Sequence, residues 1–281
     1  MILFPNAKIN LGLNVVRRRP DGYHDLETLF YPVPWRDILE IVPGKNDTAT
    51  LTVTGRHVDC PPEKNLVMKA YMALNKISPL PPVDIYLHKV IPDGAGLGGG
   101  SADAAFTLAG LDSMFNLGHS REELADIATT IGADCPFFIY NTPMLATGIG
   151  NIFTPMPLDL SSMTIAIVKP RVSVSTKEAY SGVKPMIPAT DLRSTLLDPV
   201  ECWNGNLKND FEESIFPLHP EIDRVKQTLY ATGAVYAAMS GSGAAVFGLF
   251  SADSDILADR INSTFPECDT FVAPLTLQRE K

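Results

Sequence analysis

At 281 residues, with 45% hydrophobic and 20% charged side chains, the chain can build one large domain or two modest ones around an ample core. A net charge of −9 argues against a nucleic-acid surface, which needs a cationic face. No apolar run reaches membrane-spanning length, no basic stretch precedes a signal-like core, and Cys60, Cys135, Cys202 and Cys268 are too scattered for a zinc pair or a disulfide framework. The expectation is a cytoplasmic protein with no nucleic-acid or membrane partner.

From Ala7 to Val53 the pattern is that of strands: Lys8 to Val15 alternates polar and apolar residues, and runs at 26–33, 38–42 and 50–54 follow with turns between them. Helical spacing over Asn65 to Ile77 places Leu66, Met68, Ala70, Tyr71 and Leu74 on one face. A strand at Val83 to Leu87 leads into a glycine-rich loop. Ala102 to Phe115 then reads as a helix with Ser101 as its N-cap, and Ser120 to Ile131 as a second helix. Phe137 to Tyr140 and Met144 to Ala146 read as closing strands. A loop near Pro155 to Ser162 suggests a boundary that divides the chain into domains 1–157 and 158–281. Beyond it the pattern predicts a strand at 163–168, short helices, a helix at 222–231, strands at 235–239 and 245–250, a helix at 254–264 and a strand at 270–273. This is an α+β sandwich pattern, without internal repeats.

The glycine loop is the most informative stretch. Five of the seven residues from Gly94 to Gly100 are glycine. So bare a backbone is ill suited to packing but lets successive N–H groups approach something bulky and negative. With a strand before it and a helix start behind it, the loop reads as a phosphate cradle. The Walker pattern is excluded, since no lysine follows the glycines. Gly94-Ala95-Gly96-Leu97-Gly98-Gly99 fits the dinucleotide fingerprint, but the next segment is a helix where that fold needs a strand. Protein kinases carry the same glycine spacing, yet neither His-Arg-Asp nor Asp-Phe-Gly occurs.

Pro92-Asp93-Gly94-Ala95-Gly96-Leu97-Gly98-Gly99-Gly100-Ser101 resembles the signature of the GHMP superfamily, small-molecule kinases named for galactose, homoserine, mevalonate and phosphomevalonate. Ala7 to Leu13 resembles its first motif and Met239-Ser240-Gly241-Ser242-Gly243-Ala244 its third. Asp21-Gly22-Tyr23-His24 and Gly132-Ala133-Asp134-Cys135-Pro136-Phe137 narrow the likeness to the branch acting on 4-diphosphocytidyl-2-C-methyl-D-erythritol. The resemblance implies a ribosomal-S5-like first half, a ferredoxin-like second half, ATP and Mg²⁺ as cofactors, a cytidine diphosphate-linked methylerythritol as substrate, and a monomer or weak homodimer.

It also assigns roles. Asp134 sits in a turn where an aspartate is ordinary; the resemblance makes it the base that takes the proton of the acceptor hydroxyl. Lys8, expected to point out of the core from its strand, becomes the catalytic lysine. Asn10 shares that face and is a candidate for holding substrate, and Gly241 of the third motif joins it. His24 is implied to hydrogen-bond a cytosine edge while Tyr23 stacks on the base, with Tyr180 as the second aromatic. The nucleotide falls to Pro92 through Ala102, with Asn65 and Lys89 near the adenine. Ser101 is the candidate metal hydroxyl, and equally a plain N-cap; the remaining metal ligands stay unknown. Asp103 is expected to act as a helix-dipole partner. Three other readings stay open: a homoserine- or mevalonate-type kinase, an ATP-dependent decarboxylase of this fold, and a non-catalytic nucleotide sensor on it.

Overall fold

The computed structural model describes residues 1–276 apart from Asp59 and Ala252. The chain forms two compact units. One comprises Met1–Ala7, Trp35–Asp93 and Gly98–Thr142; the other comprises Lys8–Pro34, Gly94–Leu97 and the chain from Pro143 onward.

In chain order the first elements are β1 (Ile2–Leu3), β2 (Asn6–Arg18), β3 (His24–Arg36), β4 (Ile38–Pro43), β5 (Thr50–Gly55), α1 (Leu66–Ile77) and β6 (Val83–Lys89). Next come α2 (Gly99–Phe115), α3 (Arg121–Thr129), α4 (Cys135–Tyr140), β7 (Met144–Thr147), β8 (Ile152–Pro155) and β9 (Thr164–Lys169). The rest are α5 (Thr176–Gly182), α6 (Leu192–Leu197), α7 (Phe211–Ile215), α8 (Pro220–Thr232), β10 (Tyr236–Met239), β11 (Val246–Phe250), α9 (Ser254–Thr264) and β12 (Asp269–Pro274).

In the first unit a four-stranded sheet runs in the order β1-β4-β6-β5, with β5 parallel to β6 and the other pairs antiparallel. Leu39, Ile41, Ile85 and Leu87 of this sheet pack on Leu74 of α1 and on Leu108 and Leu111 of α2. The α3 helix opens on a capping box: Ser120 accepts from the Glu123 amide, and the Glu123 carboxylate accepts from the Ser120 amide.

In the second unit β10-β11-β9-β12 form a four-stranded antiparallel sheet. Its strands and the helices α8 and α9 follow one another as βαββαβ, the ferredoxin-like arrangement expected of the second half. Ile222, Val225 and Leu229 of α8 and Leu257 and Ile261 of α9 share one core with Ala166, Val168 and Val246 of that sheet. A further sheet runs β2-β3-β7-β8.

Phe137 to Tyr140 is a helix, not a strand. A short apolar run carries no period that separates the two. Pro136 at the helix start and Asn141 in the left-handed C-cap conformation (φ 50°) decide for α4. The helix α2 starts two residues before Ser101, because Gly98 (φ 71°) occupies the N-cap and no side chain caps it. Strand β8 was not anticipated.

Candidate functional site

The glycine loop combines two backbone devices. Gly94, Gly96 and Gly98 have positive φ of 58°, 75° and 71°. Such conformations are strained for any residue with a Cβ. At Gly96 a second reason applies within its own unit. Ser240 Oγ donates to Gly96 O at 2.8 Å, Ala245 N donates to Ala95 O at 3.2 Å, and a Cβ on Gly96 would collide with the Ser240 carbonyl. The third glycine motif and the residue after it therefore brace this part of the loop through one side-chain and one backbone hydrogen bond.

In the other unit, the Gly98 turn opens directly into α2. The first intrahelical bond runs from Ala102 N to Gly98 O at 2.9 Å. The amides of Gly99, Gly100 and Ser101 precede it and lie at the positive end of the helix dipole. Ala102 is fully buried and its amide is committed to Gly98 O. Ser101 bonds the Cys135 thiol, whose pKa burial pushes up to about 11. A Cβ on Gly99 would meet Ile91 Cγ2 at 3.0 Å and Lys89 Nζ at 3.3 Å, which explains a glycine in a helix's first turn.

Lys89 and Asp103 form a cluster that sequence reasoning missed. The buried Lys89 ammonium is paired with Asp37 and, at 2.7 Å, with Asp103. Asp37 also accepts from the amides of Val90 at 2.5 Å and Ile91 at 2.8 Å. Burial opposes the Lys89 charge, yet the two carboxylates outweigh it and raise the pKa. Burial raises the Asp103 pKa to about 7, with Lys89 pulling the other way. Asp103 therefore lies past the first helical turn and is a charge partner of Lys89, not a dipole partner. The Lys89 ammonium is engaged by two carboxylates. Asn65 is the N-cap of α1 and accepts from Val67 N at 3.0 Å.

Asp134 is half-buried and precedes α4, but its carboxylate does not cap that helix. Lys8 and Asn10 belong to the other unit. Lys8 is buried, against the expectation that it points outward. The alternation along β2 is as read, but the polar face of the strand is covered too. Lys8 Nζ donates to Asn10 Oδ1 at 2.6 Å and lies 4.7 Å from the centre of the Phe30 ring. Asn10 Nδ2 donates to Thr28 Oγ1 at 3.0 Å, and Thr28 donates to Gly12 O. A Cβ on Gly241 (φ 55°) would lie 3.3 Å from Asn10 Oδ1 and 3.4 Å from Gly96 Cα. Lys8, Asn10, Gly96 and Gly241 are thus brought together.

The His24 and Tyr180 rings stack, with centroids 4.8 Å apart and planes 22° apart. Phe211 meets the Tyr180 ring edge-on at 4.8 Å. Tyr23 is 62% exposed and does not join that stack. Burial, with Arg18 second, lowers the His24 pKa, which favours the neutral ring with one donor and one acceptor. Among the described residues no group of three or more His, Cys, Asp or Glu side chains gathers as a metal site, and no helix is long and apolar enough to cross a membrane.

The family profile "GHMP kinases N terminal domain" matches residues 65–142, and "GHMP kinases C terminal" matches residues 198–267. A Parabacteroides distasonis protein named 4-diphosphocytidyl-2-C-methyl-D-erythritol kinase is 56% identical over 95% of this chain and 97% of its own length. A Bacteroides thetaiotaomicron protein of the same name is 50% identical over 96% of both. The crystal structure of a 4-(cytidine 5'-diphospho)-2C-methyl-D-erythritol kinase aligns with TM-score 0.82 at 32% identity, over 97% of this chain and 98% of that one. A homoserine kinase from Cytophaga hutchinsonii shares the fold, with TM-score 0.74 at 19% identity over 96% of this chain and 94% of its own.

Proposed function

The chain belongs to the 4-diphosphocytidyl-2-C-methyl-D-erythritol kinases, a branch of the GHMP kinases, and we propose that it transfers the γ-phosphoryl of ATP to the 2-hydroxyl of 4-diphosphocytidyl-2-C-methyl-D-erythritol in isoprenoid precursor synthesis. The observation that carries the nucleotide half is the opening of α2 out of Gly98, which leaves the Gly99, Gly100 and Ser101 amides at a helix N-terminus.

In this reading the loop amides hold the phosphates, and Asp134 accepts the hydroxyl proton as the new P–O bond forms. The Lys8 ammonium, fixed in direction by Asn10 Oδ1, offsets charge on the transferring phosphoryl group. For the magnesium ion that would accompany ATP, the described residues offer a hydroxyl and no cluster of three or more His, Cys, Asp or Glu side chains. Ser101 is the hydroxyl at the helix start that would face it. When bound, the ion neutralises phosphate charge.

The acceptor half rests on His24 and Tyr180. A neutral imidazole and an aromatic face suit cytosine, a planar base without charge. Because His24 covers Tyr180 in the free chain, the base must part the two rings or stack against the pair, with Tyr23 closing from solvent. Asn10 and Gly241 lie on the same unit as this stack. A cytoplasmic location and a monomeric or weakly dimeric state complete the proposal. Incubation with ATP, Mg²⁺ and a panel of acceptors tests it: ADP should form with the cytidine-linked substrate, and free CMP or CDP should compete with that acceptor and not with ATP. Turnover of homoserine or mevalonate instead would overturn the substrate assignment and leave the kinase assignment standing.

A further inference from the structure

The segment Lys208-Asn209-Asp210-Phe211-Glu212 reaches three acceptor-side parts of its unit: β2, the third glycine motif and Tyr180. Towards β2, Leu13 N donates to Lys208 O at 2.9 Å, Asp210 N donates to Leu13 O at 2.8 Å, and Val15 N donates to Asp210 Oδ2 at 2.8 Å. This pins the strand that carries Lys8 and Asn10. Towards the third glycine motif, the buried Asn209 amide donates to Met239 O and Gly241 O, both at 2.8 Å. Its oxygen accepts from Phe211 N at 3.0 Å, which fixes how the amide faces. Glu212 accepts from Met239 N at 2.8 Å and from Lys226 at 2.6 Å. Towards the aromatic stack, the Phe211 ring meets Tyr180 edge-on.

We propose that Asn209 is a positioning residue for the acceptor substrate, acting by locking the Met239–Gly241 turn in register with β2. The argument is one of geometry. A side-chain amide with two hydrogens bridges two carbonyls separated by one residue, and this fixes the intervening Ser240 and the direction of the peptide that follows Gly241. The peptide plane is rigid, so a held Gly241 carbonyl sends the Ser242 N–H the opposite way. Gly241 in turn lies against Asn10 and Gly96. Loss of the bridge lets the turn rotate while the Gly99, Gly100 and Ser101 amides, read above as the phosphate donors, keep their place at the start of α2. The proposal rests on the reading of Asn10, Gly241, His24 and Tyr180 as the acceptor side.

The test is Asn209→Asp, which keeps size but replaces two donors with a carboxylate facing carbonyls, beside Asn209→Ser, which keeps one short donor. Ile222→Val is the control: it trims the same core and removes none of the turn's hydrogen bonds. The expected result is a rise of about tenfold or more in KM for the cytidine-linked acceptor with Asn209→Asp, equivalent to one lost strong interaction. KM for ATP should rise clearly less than KM for the acceptor, Asn209→Ser should fall between wild type and Asn209→Asp, and Ile222→Val should leave both constants unchanged. Equal rises in both KM values, or no rise in folded variants, would overturn the proposal. Should neither variant fold, hydrogen exchange on the wild-type chain decides it: the acceptor should slow exchange at 208–212 together with 239–243, and an ATP analogue should not. Slowing at 239–243 with 208–212 unmoved would contradict it. Wild-type turnover of the acceptor is the control for the underlying reading. Its absence would remove that reading, whereas turnover without the KM split removes the role of Asn209 alone.

Discussion

Replacing Gly96 with alanine separates bracing from binding within the glycine loop. At φ 75° an alanine bears a steric penalty of about 1–2 kcal/mol. Its Cβ would stand 2.9 Å from the Ser240 carbonyl carbon and closer to the oxygen, both backbone atoms that no rotamer change can move. Relief requires the two segments to part, which breaks the Ser240 Oγ to Gly96 O bond and the Ala245 N to Ala95 O bond. Each is worth about 1 kcal/mol, so the variant should lose about 3–4 kcal/mol in all. For a protein of this size that corresponds to a melting temperature lower by roughly 6–16 °C. Gly100→Ala is the counterpart. Its Cβ would meet only Leu66 Cδ1, at 3.7 Å, in ordinary contact. A helical alanine gains about 0.5–1 kcal/mol over glycine, while a methyl group among the cradle amides should weaken ATP by about tenfold. Thermal melts and ATP titrations on both variants read the two effects. A Gly96→Ala protein within about 0.5 kcal/mol of wild type would refute the bracing argument, and a Gly100→Ala protein with unchanged ATP affinity would refute the cradle.

Asp134→Asn should keep ATP affinity and lower kcat by about 10²–10⁴-fold in a steady-state assay; near-normal turnover would remove Asp134 as the base. His24→Ala should weaken the cytidine-linked acceptor by about 1–3 kcal/mol, read as KM, with no change for ATP. Asp103 gives a pH prediction. Its folded pKa of about 7 lies above the ordinary carboxylate value, so the folded state binds more protons than the unfolded one. Stability should therefore fall as pH rises from about 4 to 7. Asp103→Asn should flatten that decline in urea melts, and an undiminished slope in the variant would place its origin elsewhere.

Much of this was legible because its causes are local. The ranges expected for α1 and α9 hold to within a residue, since Asn65 and Asp253 cap them and their apolar residues repeat at helical spacing. The positive-φ glycines of the glycine loop were likewise visible as composition. What escaped depends on partners distant in sequence. Nothing near Lys89 in the chain announces Asp37, 52 residues away, as its partner. Lys8 reads as an outward lysine because alternation reports two faces and not whether both are covered. Asn209 looks like any loop asparagine until Met239 and Gly241, 30 and 32 residues on, bring their carbonyls to it. The misread α4 has a different origin. Four apolar residues in a row fit either period, and the deciding signals were Pro136 and Asn141 at its ends.

The central claim, transfer of a phosphoryl group to the cytidine-linked methylerythritol, is tested most directly by ³¹P NMR of the purified chain incubated with ATP, Mg²⁺ and that acceptor. The account predicts loss of the ATP γ-phosphorus signal, growth of ADP, and one new phosphomonoester signal on the acceptor, with its diphosphate left intact. ADP formed equally without the acceptor, or a phosphomonoester formed only on homoserine or mevalonate, would contradict it.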